Sequence, residues 1–110
     1  MDTNTTHAVL FFIAFALCGF GQFLDCRTTD VGLAHGFIEA NSFAGKIYSK
    51  IGATGFFVLK CMVFPAIGAG IAAYAGFGPS LVWLSIFAAV GFAAGIHNYL
   101  LLKKNKIAVF

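Results

Sequence analysis

The chain has 110 residues, of which 60% are hydrophobic and 10% are charged, and its formal net charge is +3. Soluble domains carry a charge at about a quarter of their positions, so this composition excludes a water-soluble domain and leaves the lipid bilayer as the solvent. One integral membrane domain, 1–110, is expected at this length. The cationic residues are not interleaved with aromatic ones, so no nucleic-acid partner is predicted.

The first predicted membrane span covers about residues 8–30. No secretory signal pattern precedes it, and the stretch from Ala8 to Leu24 is apolar apart from Gln22. These seventeen residues rise about 26 Å, slightly less than the roughly 30 Å hydrocarbon core. Asp25 is therefore expected just inside the membrane boundary. Helical spacing beyond this point puts four residues on one face, namely Asp25, Thr28, Thr29 and Gly32.

The second predicted span covers about residues 52–76. Gly32 and Gly36 are expected to end the first helix, and a moderately polar connector follows. Lys60 interrupts the apolar residues of the span. Pro65 lacks an amide hydrogen and clashes with the carbonyl of the residue four positions earlier, so a kink is predicted there.

The third predicted span covers about residues 81–102, after a turn with the sequence G-F-G-P-S in which Ser80 is expected to cap the helix. Gly91 and Gly95 form a G-x-x-x-G pattern that favours close helix packing. The predicted fold class is all-α, a three-helix transmembrane bundle. Three thin helices enclose little space, so a homo-oligomer or a larger membrane complex is expected.

The distribution of Lys and Arg predicts the orientation of the bundle. The amino-terminal segment and the turn near Pro79 carry none, and with three spans they share one side. By the positive-inside rule the other side is cytoplasmic, which predicts an amino terminus outside and a carboxyl terminus inside a bacterial inner membrane. That side holds Arg27, Lys46, Lys50, Lys103, Lys104 and Lys106.

Lys60 is the most informative residue of the sequence. A lysine near the centre of a span costs about 2.5 to 3.5 kcal/mol on insertion scales, so a carboxylate is expected to compensate it. Asp25, His97 and Asn98 can share its layer. The predicted polar cluster contains Asp25, Thr28, Thr29, Glu39, Asn41, Lys60 and Asn98. Such a cluster either only fixes helix register through polar contacts or has a binding or transport role.

Other chemistry receives little support from the sequence. Cys18 and Cys61 lie in apolar runs and are expected to pack as small hydrophobic residues. Cys26 with Asp30, and His35 with Glu39, have a spacing that metal ligands use, but the glycines between them argue against one continuous helix. No metal and no cofactor are predicted. No nucleophile with a paired base, phosphate loop or dinucleotide fingerprint is present, so no catalytic residue is predicted.

The order of the polar motifs resembles a family of small bacterial and archaeal integral membrane proteins of unknown function. The motifs are L-D-x-x-T-T from Leu24 to Thr29, then Gly36, then E-A-N ending at Asn41, then Lys60 and finally Asn98. Ser42 stands where family members usually have proline. The resemblance implies a helical membrane bundle with the predicted polar cluster, and it implies no activity.

Three functions are compatible with this sequence. The first is an accessory subunit of a membrane complex or a small ion- or solute-handling element, based on the layer of Asp25 and Lys60. The second is a holin-like pore-forming lysis protein, which also has a short chain, three spans and a lysine-rich tail. The third is an intramembrane lipid-modifying enzyme that acts through Asp25 and Glu39.

Overall fold

The fold is helical throughout the part of the chain that the structure describes. The computed structural model describes residues 2–35 and 42–109, with side chains for 2–35 and 49–109. No strand occurs in these ranges. Three helical runs in them are long and apolar enough to cross a membrane, namely Thr3–Ala34, Ser49–Ala75 and Phe77–Lys104. The all-α, three-helix prediction is therefore confirmed, whereas the side that each terminus faces stays a prediction.

Helix α1 spans Thr3–Ala34 and begins at a polar cap. The carboxylate of Asp2 accepts a hydrogen bond from the backbone N–H of Thr5 at 2.7 Å. This bond holds the pKa of the exposed Asp2 carboxyl below its usual range. The prediction that Gly32 helps to end the helix is wrong, since α1 continues through it to Ala34. Gly32 lies on the buried face, where helix packing determines the backbone more strongly than the low helix propensity of glycine.

The second crossing consists of several helical segments. Helix α2 spans Ser42–Val58 and is interrupted at Gly52, whose φ of 74° is readily adopted only by glycine. A π-helical turn, Leu59–Val63, connects it to helix α3, Phe64–Ala75. In this turn the Phe64 N–H bonds to the Leu59 carbonyl, five residues earlier. The distortion predicted at Pro65 takes this form, because a proline cannot donate the hydrogen bond of a regular helix.

Helix α4 spans Phe77–Lys104 and follows Gly76, whose φ is 96°. The prediction that Ser80 caps this helix is wrong. Ser80 lies inside the helix and is buried, and its hydroxyl donates to the Gly68 carbonyl of α3 at 2.7 Å. A serine in a helix can satisfy its hydroxyl with a neighbouring helix, which a local sequence pattern does not reveal.

The carboxyl-terminal segment folds back after α4. The Ile107 N–H bonds to the Leu102 carbonyl at 2.9 Å, and the Lys106 N–H bonds to the Lys103 carbonyl at 3.0 Å. With Lys106 at a φ of 58°, these bonds form a Schellman motif. The Arg27 side chain of α1 then donates from Nε to the Val109 carbonyl at 2.8 Å. The tail is thereby attached to α1.

Helices α1 and α4 form the closest pair. A Cβ on Gly91 would lie 2.6 Å from the carbonyl carbon of Gly21, so the two backbones nearly touch there. Gly95 packs against Leu24 one turn further along both helices. The two helices therefore run parallel, as the first and third of three successive crossings must. On the side of their amino-terminal ends the pair encloses an apolar core of Cys18, Leu84 and Ala88.

Candidate functional site

The candidate site is centred on Asp25, a buried residue on the face of α1 that is turned toward the other helices. Its Oδ2 forms an ion pair with the Nζ atom of Lys60, which lies in the π-helical turn of the second crossing. The side chains of Lys60 and Asp25 are only 13% and 9% exposed. A carboxylate of a neighbouring helix thus compensates the ammonium group, whose charge would be costly inside an apolar span.

The other carboxylate oxygen of Asp25 receives weaker hydrogen bonds. The Thr29 hydroxyl donates to Oδ1 at 3.3 Å, and the Asn98 amide of α4 donates to it at 3.4 Å. The same amide lies 3.2 Å from the Thr28 hydroxyl, which donates to the Leu24 carbonyl at 2.8 Å. Polar groups from all three crossings therefore converge on one carboxylate.

Lys60 also contacts an aromatic ring of its own crossing, that of Phe56. Its Nζ atom lies 5.2 Å from the centre of the buried Phe56 ring, a distance at which the ring face attracts a cation. The ion pair has no net charge, and its ends are covered by hydroxyl, amide and aromatic groups. This arrangement lets two ionisable side chains remain between apolar helices.

Five of the seven predicted cluster residues come together in the structure. They are Asp25, Thr28, Thr29, Lys60 and Asn98, and we call them the polar cluster. Glu39 and Asn41 lie outside the described residues. His97, which was expected in the same layer, is exposed. On a helix it points about 100° away from Asn98, so both cannot face the ion pair.

Gln22 is a buried polar residue that sequence reasoning did not assign to the site. Its side chain is fully buried, and its amide nitrogen donates to the Phe87 carbonyl at 2.5 Å. Its Oε1 atom has no hydrogen-bond partner among the residues that the structure describes. The sequence contained a signal, because Gln22 is the one polar side chain in the apolar run and lies three positions before Asp25.

Cys26 and Cys61 are a second feature that sequence reasoning missed. Cys61 does not pack only as a small hydrophobic residue, because its Sγ atom lies 3.9 Å from that of Cys26. Cys26 follows Asp25 in the chain, and Cys61 follows Lys60. The expected contact between Asp25 and Lys60 could therefore have predicted this contact as well. Cys18 packs in the apolar core, as predicted.

The polar cluster occupies one half of the bundle. Thr28, Thr29 and Asn98 lie between the ion pair and the end that carries Lys103 and Lys104, which we call the lysine-rich end. In the other half the core is apolar, and aromatic rings pack beside it in tilted pairs. The Phe64 and Trp83 rings lie 4.6 Å and 4.5 Å from the Phe87 ring. The polar cluster is therefore closed by apolar packing on the side away from the lysine-rich end.

Comparisons with known proteins add no assignment to this geometry. The chain matches no protein-family model, and searches of curated proteins and of solved structures find no significant match. The resemblance indicated by the L-D-x-x-T-T motif stays a prediction. Among the described residues no three histidine, cysteine or acidic side chains lie close enough together to hold a metal ion.

Proposed function

We propose that this protein is a small ion-handling subunit of a membrane complex, in which the ion pair of Asp25 and Lys60 exchanges a proton with one side of the membrane. The observation that carries the proposal is the pairing of these two ionisable groups between apolar helices, with Thr29 and Asn98 donating to the same carboxylate. Ionisable residues inside membrane spans commonly mark ion pathways or proton relays.

The chemistry of the pair suits proton exchange. A proton that moves from the Lys60 ammonium to the Asp25 carboxylate turns an ion pair into two neutral groups. The net charge of the cluster is zero before and after this transfer, so no isolated charge is left in the apolar interior, where it would cost far more than in water. The neutral pair can then exchange a proton with water that reaches it.

The position of the neighbouring polar groups supports access from one side. Thr28, Thr29 and Asn98 continue the cluster toward the lysine-rich end. In the opposite direction Gln22 is followed by the apolar core of Cys18, Leu84 and Ala88, which separates it from the buried hydroxyl of Ser80. We therefore propose that the chain alone exchanges protons without conducting them across the membrane. A partner subunit or a second copy would complete the path.

This arrangement distinguishes the proposal from the holin-like alternative. A pore-forming protein needs a continuous polar lining, whereas among the described residues an apolar core interrupts the buried polar side chains. Vesicles that contain the protein should hold a pH gradient and an encapsulated dye as well as empty vesicles do. Rapid release of the dye would favour the holin-like function instead.

Hydrogen exchange at Lys60 tests the proposal directly. Protein with ¹⁵N-labelled lysine is placed in vesicles and transferred to D₂O, and loss of the ammonium hydrogens of Lys60 is followed by NMR. We expect Lys60 to exchange, more slowly than the exposed Lys103. The double variant Asn98→Leu/Thr28→Val removes two polar neighbours of the ion pair. Hydrogen exchange at Lys60 should be at least about tenfold slower in it, which corresponds to about 1.4 kcal/mol in the free energy of bringing water to the ion pair.

A matched control separates access from general damage to the bundle. Ser85 is an exposed hydroxyl residue of α4 in the apolar half, and Ser85→Ala should leave exchange at Lys60 unchanged. Retention of the Lys60 ammonium hydrogens for hours in the native protein would contradict the proposal, because the ion pair would then be sealed from water on both sides.

A further inference from the structure

The two thiols next to the ion pair form a feature that the proposed function does not use. Cys26 of α1 is 2% exposed, and Cys61 of the π-helical turn is half-buried. Their sulfur atoms are 3.9 Å apart although the residues are 35 positions apart in the chain. A disulfide has a sulfur–sulfur bond of about 2.05 Å, so an approach of less than about 2 Å brings the two sulfurs to bonding distance.

The surroundings hold the thiols facing each other. Asp25 precedes Cys26 and Lys60 precedes Cys61, so the ion pair joins the same two backbone segments that carry the sulfurs. Cys18, the third cysteine, lies about two helical turns from Cys26 in the apolar core.

We propose that Cys26 and Cys61 are a redox-active pair that forms a reversible disulfide inside the membrane, with a bilayer-soluble quinone as the oxidant. Two S–H bonds break and one S–S bond forms, and the two electrons and two protons reduce the quinone to the quinol. A dithiol reductant reverses the reaction by thiol–disulfide exchange. The proposal is independent of proton exchange at Asp25, since it concerns other side chains and a different reaction.

The location of the thiols favours an oxidant that dissolves in lipid. Both residues lie in membrane-crossing helices, and Cys61 is followed by the exposed apolar residues Met62 and Val63. In a bilayer these exposed side chains would face the acyl chains. A quinone can therefore approach Cys61 from the bilayer, whereas a charged oxidant in water would have to leave its hydration shell to reach the same sulfur.

The test is oxidation of the reduced protein in vesicles by a short-chain quinone without oxygen. Free thiols are then counted by maleimide labelling after denaturation, and the intact mass is measured. We expect the number of free thiols to fall from three to one, the mass of the monomer to fall by two hydrogens, and one quinol to form for each chain. The change should be reversed by dithiothreitol.

The three cysteines provide matched variants. Cys26→Ser and Cys61→Ser should each abolish quinol formation, whereas Cys18→Ser should form the bond like the native protein and be left with no free thiol. If a serine variant does not fold, the corresponding alanine variant replaces it. Three free thiols after oxidation, disulfide-linked dimers, or a bond in Cys26→Ser would each overturn the proposed pair. Equal oxidation by oxidised glutathione in water would overturn the assignment of a lipid-soluble oxidant.

Discussion

Asp25 and Lys60 depend on each other because both charged side chains are largely buried. Removing one partner of a buried ion pair leaves an uncompensated charge and typically costs 3 to 5 kcal/mol, whereas replacing both partners is often nearly neutral. We therefore expect Asp25→Asn and Lys60→Met each to lower the free energy of unfolding by about 3 kcal/mol, and the double variant to lose about 1 kcal/mol. Unfolding in mixed micelles with increasing SDS measures these values.

The control for this cycle is Lys103→Met, which removes an exposed lysine of α4 and should change stability by less than about 0.5 kcal/mol. Additive losses in the double variant would mean that Asp25 and Lys60 contribute independently. The ion pair would then be a contact without energetic coupling. The hypothesis that Asp25 and Lys60 stabilise the bundle together would be wrong.

Asp2 offers a pH-dependent prediction outside the membrane spans. Its carboxylate accepts the Thr5 N–H, which lowers the pKa of Asp2 in the folded protein. A lowered folded-state pKa means that the cap stabilises α1 fully above the unfolded-state pKa of about 4 and that this stabilisation is lost as the pH falls through the folded-state pKa. Amide exchange at Thr5 should accelerate over that acidic range beyond its intrinsic pH dependence.

The variant Asp2→Asn separates charge from capping. Asparagine is also a good cap but does not titrate, so exchange at Thr5 in this variant should follow only the intrinsic pH dependence of amide exchange. The same acceleration in both proteins would show that the Asp2 carboxylate is not the titrating group.

The residue scale also shows which parts of the site the sequence could predict. A charge inside the bilayer is costly, so the position of Lys60 predicted a carboxylate partner, and Asp25 was the candidate. Helical spacing then placed Thr28 and Thr29 on the same face as Asp25. The thiol contact and the position of Gln22 were not predicted. Cysteine and glutamine are tolerated in apolar surroundings at lower cost than a charge, so their position in a span carries a weaker signal.

At the scale of elements, the fold depends on how closely α1 and α4 approach. A Cβ on Gly91 would meet backbone atoms of Gly21 and Gln22, whereas a Cβ on Gly70 of α3 would meet nothing within 4 Å. Backbone cannot move as a flexible side chain can. We expect Gly91→Ala to destabilise the bundle by about 1 to 3 kcal/mol, as measured by the same SDS titration.

Gly70→Ala is the matched control for this prediction. It makes the same chemical change in a helix but creates no contact, so it should be neutral or stabilising by up to about 1 kcal/mol because alanine has the higher helix propensity. Equal destabilisation by both variants would show that glycine content, and not the approach of α1 to α4, determines stability.

The elements also show where local patterns fail. Gly91 and Gly95 were correctly interpreted as packing residues, but Gly32 was interpreted as a break and Ser80 as a cap. In both cases the surrounding helices determine the outcome, since Gly32 lies on the buried face of α1 and Ser80 bonds to the Gly68 carbonyl of α3. A pattern of a few neighbouring residues does not show which residues of another helix will contact them.

At the scale of the whole molecule, three crossings place the two ends of the chain on opposite sides of a membrane. The parallel packing of α1 and α4 puts their carboxyl-terminal ends together, and Arg27 attaches the tail to α1 at that end. The polar cluster lies in the same half of the bundle. If the proposed proton exchange takes place, the orientation of the protein decides which compartment exchanges protons with Asp25.

Reporter fusions test this orientation. The break between α3 and α4 at Gly76 has no lysine or arginine beside it, whereas Lys103, Lys104 and Lys106 precede the carboxyl terminus, so the positive-inside rule predicts a cytoplasmic carboxyl terminus. A fluorescent protein that matures only in the cytoplasm should fluoresce when fused after residue 110, and alkaline phosphatase should be active only when inserted at Gly76. A variant in which serine replaces these three lysines and lysine replaces residues 4–6 should insert in the opposite orientation in part of the population. If the native carboxyl terminus proves external, the polar cluster opens to the outside, and any partner that completes the path must provide the cytoplasmic half.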